Sequence, residues 1–219
     1  LPLPIIQYMQ DSPSYAKLKK FVDNIKLIDT HEHLPQESER IKQKVDFLST
    51  FFPHYASVDL RSAGMSEKEL IMMRNPDHPL GKRWEIFEPW WEKIKNTGYA
   101  RAIEIASRDL YGVGINSETC KVLTDRIKEK NVAGLYKWVL KERAGIDVSI
   151  NDTLVYDVDT DFFAPVRRFT EFLHIRDRTS LEELSRQVGE QIHSFKTLLS
   201  ALTNEFDKSQ GKIVGVKIV

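Results

Sequence analysis

The apolar run over residues 213–219 constrains the fold of this chain more than any other segment. All its residues are apolar except Gly215 and Lys217, so the run predicts a β-strand that is buried on both faces. Strands of this kind are typical of parallel sheets whose faces are covered by helices. We therefore expect an α/β protein.

Three further strand patterns precede this run. They lie over residues 25–28, 146–150 and 162–166. The last of the three contains Pro165, which weakens the prediction because proline cannot donate to a sheet ladder. The resulting order is strand, helical segment, strand, short link, strand, helix, strand, which predicts a parallel β/α sheet.

Helical patterns fill most of the remaining sequence. Residues 12–22 predict a first helix, and residues 35 to about 145 predict a large helical segment between the first two strands. Ser66 and Ser180 each begin a capping-box pattern, and the second is expected to open one long helix that reaches Phe206. The tryptophans of the helical segment are expected in its core: Trp84, Trp90 and Trp91.

Two histidines follow the first strand. Because side chains alternate along a strand, Asp29, His31 and His33 are expected to point the same way at its carboxyl end. That end is where active sites lie in parallel α/β sheets and barrels. Two neutral imidazoles side by side suit a divalent transition metal. Local hydrogen bonding of the two rings without a metal is the alternative.

The residues around this motif carry a family resemblance. Residues 28–34, Ile-Asp-Thr-His-Glu-His-Leu, resemble the first-strand signature of the amidohydrolase superfamily, the metal-dependent TIM-barrel hydrolases. The helical segment after the first strand resembles the layout of the uronate isomerases. The resemblance implies a TIM (β/α)8 barrel in which residues 1–219 form the N-terminal half of one domain, with a helical insertion over about 35–145.

The resemblance also implies a divalent metal, usually zinc, as one or two ions held by His31 and His33. Asp29 could accept the free N–H of a ligating imidazole and so act as a supporting residue behind the ligands. Lys217 is similar in placement to the fourth-strand lysine that many members carbamylate and use to bridge two metals. A lysine that reaches solvent from the strand end, or a cation that faces a substrate carboxylate, are the alternatives for Lys217.

Arg167 and Arg168 follow the third predicted strand. Either could bind a substrate carboxylate or phosphate in a bidentate manner, and a solvated pair of arginines is the alternative. The family's remaining ligands and its water-activating aspartate come from later strands. We therefore expect the general base beyond Val219 and expect this chain to be part of a longer protein.

The first functional hypothesis is a metal-dependent hydrolase, in which metal-activated water attacks an amide, ester or lactone. The alternatives are a uronate isomerase-like enzyme, a metal-dependent decarboxylase, and a non-catalytic scaffold if the chain truly ends at residue 219. A net charge of zero argues against nucleic acid as a partner, and no apolar run approaches the roughly 20 residues of a membrane span. The expected partner is a small-molecule substrate.

The single cysteine, Cys120, excludes an internal disulfide framework. It does not determine the cellular compartment, for which we favour the cytoplasm over export. The sequence does not decide between a monomer and a homo-oligomer.

Overall fold

The structure is a computed structural model that describes residues 12–152 and 158–218. The chain divides into two compact units. One consists of the residues up to Gln36 together with those from Leu140 onward, and carries the sheet. The other is Glu37–Val139. Val219, at the end of the fourth predicted strand, lies outside the described residues.

Among the described residues, the sheet unit contains four parallel strands that form a curled half-barrel, and their spatial order is the same as their order along the chain. The expectation of a parallel α/β sheet is thus confirmed. The strands are β1 (Leu27–Glu32), β2 (Ile146–Asn151), β3 (Phe163–Arg168) and β4 (Gly215–Lys217).

The pairing of β1 with β2 is irregular near its carboxyl end. Asp29 pairs with Ser149, and Glu32 pairs with Asn151, so that the register shifts between these two pairs. Such an irregularity bends and twists a strand locally and re-aims its side chains. It lies directly before His33.

The third strand extends two residues beyond its predicted end and includes both arginines. Arg167 and Arg168 are the last residues of β3 rather than residues that follow it, and Arg168 pairs with Lys217 of β4. Pro165 is accommodated within β3, where its carbonyl accepts a hydrogen bond from the Val214 main-chain N–H at 2.9 Å. The strand therefore continues through Pro165 although this residue has no main-chain N–H to donate.

The α-helices are α1 (Pro13–Asp23), α2 (Glu37–Arg40), α3 (Phe47–Phe51), α4 (Ala56–Ser62), α5 (Glu67–Arg74), α6 (Leu80–Ile94), α7 (Gly98–Tyr111), α8 (Cys120–Lys130), α9 (Thr170–Leu173), α10 (Arg178–Val188) and α11 (Phe195–Ser209). A π-helix, Lys137–Arg143, precedes β2. None of the helices in the described part of the chain is long and apolar enough to cross a membrane.

The single long helix predicted from Ser180 to Phe206 is wrong, because two helices occupy this region. Gly189 adopts a left-handed conformation with φ of 73° and ends α10, a common way for a helix to stop. The helix also begins earlier than predicted. Its N-cap residue is Asp177, and Ser180, which was predicted to begin the capping box, is instead the residue at its other end. The capping box predicted at Ser66 is confirmed at the start of α5.

The Glu37–Val139 unit has an aromatic core. Rings of Phe47, Phe52 and Phe87 lie within 6 Å of one another, with the Phe52 and Phe87 centroids 4.8 Å apart. Trp84 and Trp91 are buried in the same cluster, as predicted, and Trp90 is partly buried against it.

One ion pair is enclosed by this core. The guanidinium of Arg83 is 1% exposed and donates to both carboxylate oxygens of Asp46, with the Nη2–Oδ1 distance at 3.0 Å. Arg83 also donates to the Met73 carbonyl at 2.7 Å. Asp46 in turn caps α3 by accepting the Ser49 main-chain N–H at 2.9 Å. Each charge therefore has several partners.

Asp46→Ala should lower the free energy of unfolding of this unit by about 3–5 kcal/mol, because it leaves a buried guanidinium uncompensated. Denaturant unfolding followed by tryptophan fluorescence measures this, since all four tryptophans lie within Glu37–Val139. Asp77→Ala is the control, because Asp77 pairs with Lys44 on the surface, and it should change stability little. Equal effects of the two substitutions would contradict the structural role of the buried pair.

Candidate metal centre

His31 and His33 converge at the carboxyl end of β1. Their ring centroids are 4.5 Å apart and the rings are nearly perpendicular, at 84°. The His31 side chain is 42% exposed, so it can reach a ligand from solvent. The two predicted ligands therefore lie side by side at the edge of the sheet where active sites of parallel sheets are found.

Asp152, which is not among the residues predicted from the sequence, joins the two histidines. It directly follows β2, its carboxylate is fully buried, and Oδ2 lies 3.9 Å from His31 Nδ1. One potential ligand atom from each of these three residues lies within 4.8 Å of the others. The signal that could have found Asp152 is its position at the end of an alternating strand, the same position that marked the histidines.

This donor set fits a divalent transition metal. Zinc binds imidazole nitrogen and carboxylate oxygen at about 2.0–2.2 Å, so two of its ligands lie up to about 4 Å apart. The 3.9 Å between His31 Nδ1 and Asp152 Oδ2 satisfies that limit. The spread of 4.8 Å over all three donor atoms is wider, so the side chains would have to draw closer around a bound ion. Two imidazoles and one carboxylate are also a chemically suitable set for such an ion. These residues could therefore hold a metal.

The second histidine is oriented by the main chain of Asp152. His33 Nδ1 lies 2.8 Å from the Asp152 carbonyl oxygen. Because a carbonyl only accepts hydrogen bonds, Nδ1 carries the proton and Nε2 keeps the lone pair that a metal needs. The chain thus selects the ligating tautomer of His33.

Asp29 was the residue predicted to support an imidazole. Its Oδ1 accepts a hydrogen bond from the main-chain N–H of His31 at 3.2 Å. This contact holds the backbone of the first ligand. A role of Asp29 toward the His31 imidazole stays a prediction.

Two cations surround the Asp152 carboxylate. Arg168 donates from Nε to Oδ1 and from Nη2 to Oδ2, both at 2.6 Å, and Lys217 Nζ lies 2.6 Å from Oδ2. The Arg168 guanidinium, with help from Lys217, holds the pKa of the Asp152 carboxyl far below its usual range, although burial opposes the shift. The hydrogen bonds between Arg168 and Asp152 also raise the pKa of Arg168.

The depressed pKa of Asp152 makes the stability of the fold depend on pH. Because the carboxyl pKa is lower in the folded chain than in the unfolded one, these ion pairs stabilise the folded state fully above a pH of about 3.9, and the stabilisation is lost as the pH falls further.

Lys217 also contacts the first histidine. Its Nζ lies 3.3 Å from Nδ1 and 3.4 Å from Nε2 of His31. The structure thus brings Lys217 to the predicted metal site, where its partner is Asp152. Whether it is a metal ligand stays a prediction.

The two arginines of β3 have different partners. Arg168 pairs with Asp152, whereas Arg167 pairs with Glu171 at 2.6 Å and approaches Glu205 at 3.8 Å. Neighbouring residues of a strand face opposite sides, which accounts for the difference. Substrate binding by either arginine stays a prediction.

Comparison with known proteins supports the fold. No protein-family profile matches the chain, and no curated protein sequence matches it. The structure is similar to the crystal structure of a uronate isomerase from Thermotoga maritima, with a TM-score of 0.66 and 17% sequence identity. The match covers 92% of this chain and 48% of that one, so the chain spans about half the length of the isomerase. At this identity the likeness shows a shared fold, consistent with part of a TIM barrel.

Arg168→Gln should destabilise the sheet unit by about 2–3 kcal/mol, because a buried carboxylate loses its bidentate charged partner and keeps only Lys217. Hydrogen exchange of the β2 and β3 amides, measured by mass spectrometry on the metal-free protein, reports the change. Arg178→Gln is the control, since the Arg178 side chain is 90% exposed in its pair with Glu182. Unchanged exchange in Arg168→Gln would show that this ion pair does not hold the strand ends together.

Proposed function

We propose that this chain carries the metal-binding half of a sugar-acid isomerase related in fold to uronate isomerase. The observation that carries the proposal is the cluster of His31, His33 and Asp152 at the carboxyl edge of the sheet. That cluster lies on a scaffold of which 92% matches a uronate isomerase in fold, over 48% of the isomerase chain.

The reaction would interconvert the aldehyde and ketone forms of an open-chain sugar acid by moving one proton between the two adjacent carbons and one between their two oxygens. The chemistry that a bound divalent ion would supply is polarisation of the substrate carbonyl. His31, His33 and Asp152 would hold the ion, and the Asp152 carbonyl would keep His33 in the ligating tautomer. Arg168 would keep the Asp152 carboxylate in place.

Two cationic side chains at the strand ends could contact an acidic substrate. The side chains of Arg168 and Lys217 are 29% and 34% exposed, and both pair with the buried carboxylate of Asp152. The carboxylates of Asp29 and Glu32 lie at the same end of β1, so the site as a whole has no excess of positive charge. Recognition of a uronate carboxylate would therefore come from direct contact with Arg168 or Lys217.

The metal-dependent hydrolase, the first hypothesis drawn from the sequence, has no support from the comparison, because the similar structure belongs to an isomerase. Both hypotheses use a metal at the same strand ends. They differ in product, since hydrolysis consumes water and isomerisation does not. Product analysis therefore separates them.

The purified full-length protein, supplied with Zn²⁺, should convert a hexuronate into the corresponding ketouronate. Carbon-13 NMR follows the aldehyde carbon of the substrate as it becomes a hydroxymethyl carbon, and the adjacent hydroxyl-bearing carbon as it becomes the new ketone. Removal of the metal with a chelator should abolish turnover, and added Zn²⁺ should restore it. Hydrolysis of an amide, ester or lactone without any ketouronate would contradict the proposal.

The double variant His31→Ala/His33→Ala should bind Zn²⁺ at least about tenfold more weakly than the wild-type protein, since loss even of groups that support a ligand costs 10–100-fold. Elemental analysis after equilibrium dialysis measures the metal content. His174→Ala/His193→Ala is the matched control, because it removes two exposed histidines of the same unit. Equal zinc content in the two double variants would refute the metal centre.

A further inference from the structure

The ammonium of Lys217 lies between two of the proposed metal ligands. Its Nζ is 2.6 Å from Asp152 Oδ2 and 3.3 Å from His31 Nδ1. Asp152 Oδ2 and His31 Nδ1 are themselves only 3.9 Å apart. The ammonium therefore lies close to both atoms that a shared ion would contact.

We propose that Lys217 is an internal cation that competes with the metal for Asp152 and His31, so that metal binding displaces the Lys217 side chain. This inference rests on the metal centre of the proposed function. It assigns Lys217 a role opposite to that of a ligand, because a ligand strengthens metal binding and a competitor weakens it.

The competition follows from charge and from lone pairs. An ammonium that donates to Asp152 Oδ2 uses electron density that a metal would need, and two like charges a few ångströms apart repel each other in a partly buried site. The lysine side chain has four flexible carbons and is 34% exposed, so it can turn toward solvent. Displacement is therefore sterically accessible.

Arg168 keeps the buried Asp152 carboxylate paired when a metal ion replaces Lys217. It holds both oxygens of Asp152 at 2.6 Å, so the buried carboxylate keeps a charged partner when Lys217 leaves. Removal of the Lys217 charge is for the same reason not expected to unfold the sheet unit. Arg168 is the permanent partner of Asp152, and Lys217 is the exchangeable one.

The test is the affinity of the full-length protein for Zn²⁺ alone, measured by calorimetry with a competing chelator. Lys217→Met should bind Zn²⁺ roughly tenfold more tightly than the wild-type protein, a difference of about 1.4 kcal/mol. Lys217→Arg keeps the positive charge and should show no such gain. Lys212→Met makes the same change of net charge at an exposed lysine before β4, and should also show none.

Weaker or unchanged zinc binding by Lys217→Met overturns the proposal, and weaker binding would instead support a ligand role. An equal gain in zinc affinity in Lys217→Arg would show that the positive charge of Lys217 is not what weakens metal binding, and would overturn the proposal. The gain of Lys217→Met should disappear when His31→Ala/His33→Ala is added, because no site remains to compete for. If the wild-type protein binds Zn²⁺ no better than that double variant, the proposed function fails as well. Thermal melts of each variant check that it is folded.

Discussion

A single buried aspartate connects the carboxyl ends of all four strands. The main-chain N–H of Asp152 donates to the Glu32 carbonyl of β1 at 2.7 Å, and its own carbonyl orients His33. Its carboxylate binds Arg168 at the end of β3 and Lys217 at the end of β4. A buried carboxylate is stable only with such partners. The charge of Asp152 therefore requires the strand ends to lie where Arg168 and Lys217 can reach it, and the ion pairs in turn hold the strand ends together.

This constraint explains how three potential metal ligands come together at the end of a four-stranded sheet. The register shift in β1 lies between Asp29 and Glu32, within the histidine motif. Asn151 Nδ2 donates to the Leu34 carbonyl at 2.9 Å and holds the chain that follows His33. Ligands held by strand ends and by main-chain hydrogen bonds are positioned more accurately than ligands on loops. The same residues that satisfy the buried charge therefore also orient the proposed ligands.

The sequence predicts the parts of this site that depend on local pattern. Alternation along a strand locates His31 and His33, and the apolar run of β4 makes Lys217 conspicuous as the charged residue within it. Asp152 was missed because an aspartate after a strand is common in loops, and its importance arises from partners that only the fold brings to it. The break at Gly189 was missed for a related reason. Helices on both sides of it pack into one hydrophobic cluster, so the apolar spacing continues across the break.

The most direct test of the metal centre is anomalous diffraction at the zinc absorption edge from crystals of the zinc-loaded protein. The account predicts a zinc peak in contact with the side chains of His31, His33 and Asp152, with Arg168 still paired to Asp152 and Lys217 Nζ moved away from it. A zinc peak elsewhere in the molecule, or no peak at these strand ends while Lys217 and Asp152 stay paired, would contradict it.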